Sequence, residues 1–136
     1  MSDGPVVALR KAARDHLLAD AALIAALGGP RIHDVAPREA TAPWIAFGET
    51  RLRDWSTADQ RGADLTLQLD VISEQPGSRE ALALAERVIA RLDDAALAPP
   101  GWRLVRLAFQ TLDVKREAQG RYVRAQTKFR ALLEAL

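Results

Sequence analysis

The clearest pattern in the sequence is the segment Asp64-Leu-Thr-Leu-Gln-Leu-Asp-Val-Ile-Ser73, which is followed by Glu74-Gln-Pro-Gly77. Apolar and polar residues alternate along this segment, as is typical of a strand with one buried face. The Pro-Gly pair breaks the strand, and Ser78 is expected to cap a helix that continues to about Leu92. The apolar stripe of this helix comprises Leu82, Ala85, Val88 or Ile89, and Leu92.

Two helices are predicted before this unit. The segment from Val6 to Leu18 has apolar residues at helical spacing, and Pro5 precedes it, as is common in a first helical turn. Asp20 is expected to cap a short second helix over Ala21 to Leu27. The glycines that follow end this helix, because glycine adopts the left-handed conformation at low cost.

The region between the helices and the central strand is predicted to be extended. Arg31 to Val35 is expected to form a short edge strand, and Trp44 to Phe47 a stronger one because of its aromatic and β-branched residues. A further strand is expected over Glu49 to Trp55, with Gly48 marking a bulge before it. Ser56 to Gly62 is polar and is predicted to be an exposed loop.

The C-terminal part of the chain is predicted to be a hairpin. Trp102 to Val114 and Arg121 to Leu133 are both extended, and they are joined by a polar turn over Arg116 to Gly120. A helix remains an alternative for the tail from Arg130 to Leu136. The whole order predicts an α+β fold, a two-layer sandwich of a mostly antiparallel sheet with two main helices packed on one face.

Composition limits the possible functions. The chain has 136 residues, 49% of them hydrophobic and 27% charged, which suits one domain over residues 1–136. It has no cysteine and two histidines, so thiolate catalysis and a sulfur-ligated or His-rich metal site are excluded. No apolar run reaches the roughly 18 residues of a membrane span. We therefore expect no cofactor, no metal and no membrane partner, and a cytoplasmic origin without a signal peptide.

Catalytic constellations are scarce. His16 and Asp20 are four residues apart on the helical register, but two ligands do not make a metal site. His33 and Asp34 are neighbours in the expected edge strand, where successive side chains point to opposite faces. Acid–base chemistry by these residues is kept as a weak alternative, and we expect the protein not to be an enzyme.

Two basic surfaces are the candidate interaction sites. The first is the loop from Arg51 to Arg61, where Trp55 is a candidate interface anchor. The second is the hairpin tip from Lys115 to Arg121. The predicted interface residues are Arg51, Arg53, Asp54, Trp55, Arg61, Lys115, Arg116 and Arg121. A small nucleic-acid-binding module that uses both tips is the main alternative, although the net charge is only +1.

Several segments in order resemble the tail-completion family of long-tailed phages, prophages and gene transfer agents. They are Gly29-Pro-Arg-Ile-His-Asp-Val-Ala-Pro37, Ala42-Pro-Trp-Ile-Ala-Phe-Gly-Glu49, Asp54-Trp-Ser-Thr57, the strand from Leu65 to Ile72 with its break and helix, and Gly120 to Ala131 with Thr127-Lys-Phe-Arg130. The resemblance extends from about Leu9 to Leu133. Its order and spacing are more specific than any single motif.

This family is similar to the tail terminators of lambda-like phages. The resemblance implies a ring, typically hexameric, that caps the tail tube, terminates its polymerisation and joins tail to head. Its partners would be copies of itself, the major tail tube protein and a head-completion or connector protein, with DNA passing transiently through the lumen. Its location would be the head–tail junction of a phage or gene transfer agent particle, after assembly in the host cytoplasm. Another head–tail neck or adaptor protein is a further alternative.

Overall fold

The computed structural model describes residues 4–117 and 120–136. The helices are α1 (Pro5–Leu18), α2 (Ala21–Leu27) and α3 (Arg79–Leu92). The strands are β1 (Ile32–His33), β2 (Trp44–Phe47), β3 (Arg51–Asp54), β4 (Gly62–Ser73), β5 (Trp102–Arg116) and β6 (Val123–Ala135). This is the predicted order of helices and strands. The tail from Arg130 forms strand and not helix.

The strands form one six-stranded sheet in the order β1-β2-β4-β6-β5, and β3 pairs with β4 on the same side as β2. Only β1 and β2 run parallel, and the other neighbours are antiparallel. The α+β fold with a mostly antiparallel sheet is therefore confirmed. The predicted edge strand over Arg31 to Val35 shortens to β1, which lies at one end of the sheet.

The core lies between the helices and one face of the sheet. Helix α3 contacts β4, β5 and β6, α1 contacts β4 and α3, and α2 contacts α3. The inward residues of β4 are the predicted ones, and Phe129 of β6 is the largest side chain that is fully buried against them. The inward residues of β4 are Leu65, Leu67, Leu69 and Val71.

The predicted bulge at Gly48 is present between β2 and β3. Phe47 pairs with Leu69, and Arg51 pairs with Thr66, so three residues on one side face two on β4. The amide of Gly48 donates to the carbonyl of Gln68 at 2.9 Å. Strands β2 and β3 are thus two parts of one interrupted strand, and both pair with β4.

Two predicted helix caps differ from the structure. Neither Asp20 nor Ser78 makes a side-chain cap hydrogen bond. Asp20 is instead held by Arg87 of α3, because the turn between α1 and α2 brings the carboxylate onto α3. Glu80 in the first turn of α3 accepts a hydrogen bond from the Ser73 hydroxyl at 2.7 Å.

Candidate assembly interface

The face of the sheet opposite the helices, here called the polar face, carries many charges, although Gln68, Asp70 and Ile72 of β4 are buried on it. The strand register places alternate residues of β3, β4, β5 and β6 side by side on it. The basic residues of the polar face are Arg51, Arg53, Arg103, Arg106, Lys115, Arg124, Lys128 and Arg130, and its acidic residues are Asp64, Asp70, Asp113 and Glu134. Basic residues therefore outnumber acidic ones on this face, although the whole chain is nearly neutral.

Two arginines of β6 bind carboxylates of β4 across the polar face. Arg130 donates from Nε and Nη2 to Asp64, at 3.1 and 2.8 Å. Arg124 donates to Asp70 at 2.9 Å and to Glu117 at 2.6 Å. The hydrogen bond from Arg130 lowers the pKa of Asp64, and the charge of Arg53 adds to this effect. These carboxylates already have partners within the subunit.

A shallow hollow lies on the polar face between β3 and the centre of the sheet. Its volume is about 320 Å³, and its lining residues are Arg51, Arg53, Asp64, Thr66, Gln110 and Arg130. Three guanidinium groups face one carboxylate there, so positive charge is in excess. Guanidinium groups bind carboxylates and phosphates through paired hydrogen bonds. The hollow therefore suits an acidic side chain of a partner or a phosphate group.

The predicted loop surface is only partly available for contacts. Asp54 accepts a hydrogen bond from the Ser56 hydroxyl at 2.6 Å, which lowers its pKa. Arg61 lies over the ring of Trp102 at 5.8 Å. Trp55 lies against Gly62 and keeps 39% of its surface exposed, so it remains a candidate interface anchor.

The predicted hairpin tip lies at the far end of β5. Lys115 and Arg116 are exposed at the end of this strand. Arg121 pairs with Glu74 at 3.3 Å and lies 5.0 Å from the Tyr122 ring centroid. Residues 118–119 of the predicted tip lie outside the described residues.

The structure separates the two predicted surfaces. Strand β3, with Arg51 and Arg53, lies on one side of the sheet, and β5 lies on the other, with β4 and β6 between them. Sequence reasoning missed the pairs Asp64–Arg130 and Asp70–Arg124. Their alternating positions within β4 and β6 were visible, but the pairing of β4 with β6 was not, because α3 and β5 intervene along the chain.

Within the described part of the chain, neither histidine is paired with a carboxylate. The Nε2 atom of His16 lies 3.0 Å from the backbone oxygen of Arg91, while Asp20 binds Arg87. Over residues 4–117 and 120–136, no group of three or more His, Cys, Asp or Glu side chains is placed to hold a metal ion. Over the same residues, no helix is both long and apolar enough to cross a bilayer.

The fold agrees with that of a known protein. A solved chain in the "Virion of native gene transfer agent (GTA) particle" is similar to this one, with a TM-score of 0.89 and 31% sequence identity. The similarity covers 98% of this chain and 100% of that chain. Among curated proteins, none matches the sequence.

These findings define the class, a structural protein of phage or gene transfer agent tails. The model of the tail completion protein gp17 family matches residues 11–134, and the chain belongs to that family. The family resemblance noted from the sequence is thereby confirmed.

Proposed function

We propose that the protein is the subunit of a ring, with six copies, that caps the tail tube and terminates tail polymerisation. The observation that carries the proposal is the similarity to a chain of a gene transfer agent virion over essentially the full length of both chains. Membership of the tail completion family supports it independently. The chain would act as a single domain at the head–tail junction of a phage or gene transfer agent particle.

The surfaces of the subunit suit this role. A ring forms when a patch on one subunit binds a different patch on the next and the rotation closes. Strand β3 and the hairpin tip lie on opposite sides of the sheet, as a head-to-tail contact requires. Both surfaces are mainly basic, so the carboxylates beside the cations, Asp54 at β3 and Asp113 on β5, would supply the opposite charges that orient one subunit against the next. We propose Arg51, Arg53, Asp54, Trp55, Arg61, Lys115, Arg116 and Arg121 as the assembly residues, and no catalytic residue.

The proposed partners follow from the ring. One side of it would contact the major tail tube protein and the other a head-completion or connector protein. The excess of basic residues on the polar face would favour transient, sequence-independent contact with passing DNA if that face lines the lumen. Assembly would take place in the host cytoplasm and need no cofactor.

The test is assembly itself. Six subunits of 14.9 kDa give a particle of about 90 kDa, which light scattering detects in the purified protein or which appears bound to tails when the tube protein is present. Cells lacking the protein should make tubes of uncontrolled length that do not join heads. A chain that stays monomeric and never joins tails would refute the ring.

The same preparation separates the alternatives. A nucleic-acid-binding module would bind duplex DNA at about 50 mM salt, with an affinity that falls as salt rises. A catalytic role for the histidines would be lost in the His16→Ala/His33→Ala variant. We expect this variant to complete tails normally, because neither histidine lies on the proposed assembly surfaces.

A further inference from the structure

We infer that neighbouring subunits of the ring join by β-sheet pairing, the outer edge of β3 in one copy adding antiparallel to the outer edge of β5 in the next. The partner is thus a second copy of this chain, and the contact is made by two named strand edges. The inference rests on the proposed ring and specifies how the ring is held together. It comes from two unpaired strand edges and from the residues along them.

The first edge belongs to β3. Among the described residues, β3 pairs only with β4, and all four of its residues are exposed. The amide of Trp55 donates to the carbonyl of Gly62 at 3.0 Å. In an antiparallel pair every second residue bonds to the neighbouring strand, so Trp55 and every second residue before it bond to β4. Leu52 and Asp54 therefore direct their backbone N–H and C=O groups outward. Such an edge is a template for another strand.

The second edge belongs to β5, and part of it is already covered. The amide of Asp94 donates to Leu107 at 2.8 Å, and the carboxylate of Asp93 accepts from the amide of Phe109 at 2.9 Å. This turn after α3 thus occupies the edge at those two positions. A strand from another subunit is excluded there and can add only farther along β5.

Beyond this turn, the β5 edge is open. The amide of Glu117 donates to the carbonyl of Tyr122 at 2.9 Å. Glu117 and every second residue before it therefore direct their backbone groups towards β6. Leu112, Val114 and Arg116 therefore direct their backbone groups outward, and no segment in the described part of the chain pairs with them there. The open edge is about as long as β3.

The strand directions are compatible. Strand β4 is antiparallel to both β3 and β6, and β6 is antiparallel to β5, so β3 and β5 run in opposite directions. A second copy placed beside the first by rotation keeps these directions. Its β3 would therefore add to β5 as an antiparallel neighbour, and the sheet would continue from subunit to subunit.

The side chains favour one register. With Leu52 opposite Val114, two exposed apolar side chains meet on the helix side of the sheet, where they are 52% and 40% exposed in the single subunit. Arg53 then lies opposite Asp113 on the polar face, as a pair of opposite charges. Arg51 lies opposite Lys115 in this register, and Asp113 on the diagonal offsets their repulsion.

The offset of this register matches a closed ring of tilted strands. Within one subunit, Leu52 lies level with Leu107 through Leu65 and Ala131. Val114, the proposed partner of Leu52 in the next copy, is seven residues beyond Leu107 along β5. The bulge after Phe109 accounts for one of these residues, so the rest correspond to a shift of ~20 Å along the strand direction. This shift arises across four strand spacings, from β3 of one copy to β3 of the next, a width of ~19 Å. The implied tilt is about 45°, at the upper end of the range for closed sheets.

Disulfide trapping tests the pairing directly, because the chain has no cysteine of its own. In the Leu52→Cys/Val114→Cys variant, opposite residues of a hydrogen-bonded pair would be ~5.5 Å apart at Cα, within disulfide range. Mild oxidation of assembled protein should give a ladder of covalent multimers up to the full ring under non-reducing electrophoresis. Each single-cysteine variant should give no ladder.

The matched control is Leu52→Cys/Val105→Cys. Val105 is on the same strand and is 46% exposed, but it lies on the other side of the covered segment and out of the proposed register. Rings that form normally and show no ladder in the Leu52/Val114 variant, or an equal ladder in the control, would overturn the edge pairing and leave the ring intact. Protein that forms no ring, even with tails present, would overturn both proposals.

Discussion

Asp20 is the residue that connects all three helices. It precedes α2, it is 5% exposed, and both of its carboxylate oxygens accept hydrogen bonds from Arg87 of α3, at 2.7 and 2.8 Å. The Arg91 guanidinium lies 3.7 Å away. The hydrogen bond from Arg87 outweighs burial and lowers the pKa of Asp20 to about 2. A buried carboxylate is thus kept ionised, and it holds the helices together.

This arrangement predicts acid sensitivity. Because the pKa of Asp20 is lower in the folded state than in the unfolded chain, its contribution to stability is present above about pH 4 and is lost as the pH falls towards 2. The Asp20→Asn variant should lose about 1 to 2 kcal/mol of unfolding free energy near neutral pH, a value reduced for the exposure of Arg87. Urea unfolding at a series of pH values measures the difference, which should shrink as the pH falls from about 4 through 2.

Asp15→Asn is the matched control. Asp15 is 62% exposed and lies 3.7 Å from Lys11 on the same helix, so its loss should change stability by a few tenths of a kcal/mol. Equal unfolding free energies for the Asp20 and Asp15 variants at neutral pH would show that the contact with Arg87 adds nothing to stability.

Among the strands, the β3–β4 corner depends on one close approach. A Cβ atom on Gly62 would lie 2.5 Å from the backbone oxygen of Trp55, which is too close for any side chain. The Gly62→Ala variant should therefore displace β3 and Trp55 and lower the unfolding free energy by about 1 to 3 kcal/mol. Thermal denaturation and the fluorescence of the tryptophans report the two effects.

Gly48→Ala is the comparison for this element. A Cβ atom there would meet the side chain of Gln68, whose amide end can move, and not the backbone. The loss of unfolding free energy should be smaller than for Gly62→Ala. A reversed order of the two costs would mean that β3 adapts more easily than the buried Gln68.

At the scale of the whole molecule, the charge of the hairpin tip can be changed without affecting folding. Lys115 and Arg116 are exposed, and in the described residues neither has a carboxylate partner. The Lys115→Glu/Arg116→Glu variant should keep a melting temperature within a few degrees of the parent, because exposed substitutions cost little. Ring formation should persist, because Lys115→Glu removes the repulsion with Arg51 of the neighbouring copy, but the ring should fail to join tails, because the hairpin surface proposed to meet the tail reverses its charge. Particle-bound protein, measured by immunoblotting, tests this.

The control for the hairpin is Arg38→Glu/Arg79→Glu, which makes the same change in net charge at exposed positions elsewhere. This variant should still join tails. If both variants fail to do so, net charge and not the hairpin surface governs assembly. If both succeed, the hairpin tip is not an assembly surface.

The order of the elements and the class of the fold could be predicted from the sequence. The alternation over β4 and the apolar stripe of α3 are local patterns, and a local pattern shows which face of an element is buried. The order and spacing of short motifs were enough to indicate the family. The boundaries of β1 and β3 were less accurate, because short strands depend on their partners for stability.

The contacts between distant residues became visible only in the folded molecule. Asp20 with Arg87 and Asp64 with Arg130 are separated by more than sixty residues, and nothing in the composition of either segment selects the other. Local sequence also does not show which parts of the β5 edge are covered and which are open, because this depends on the position of the turn at Asp93 in the fold. Side-chain pairing and edge exposure are set by the packing of distant segments, so local sequence patterns do not encode them individually.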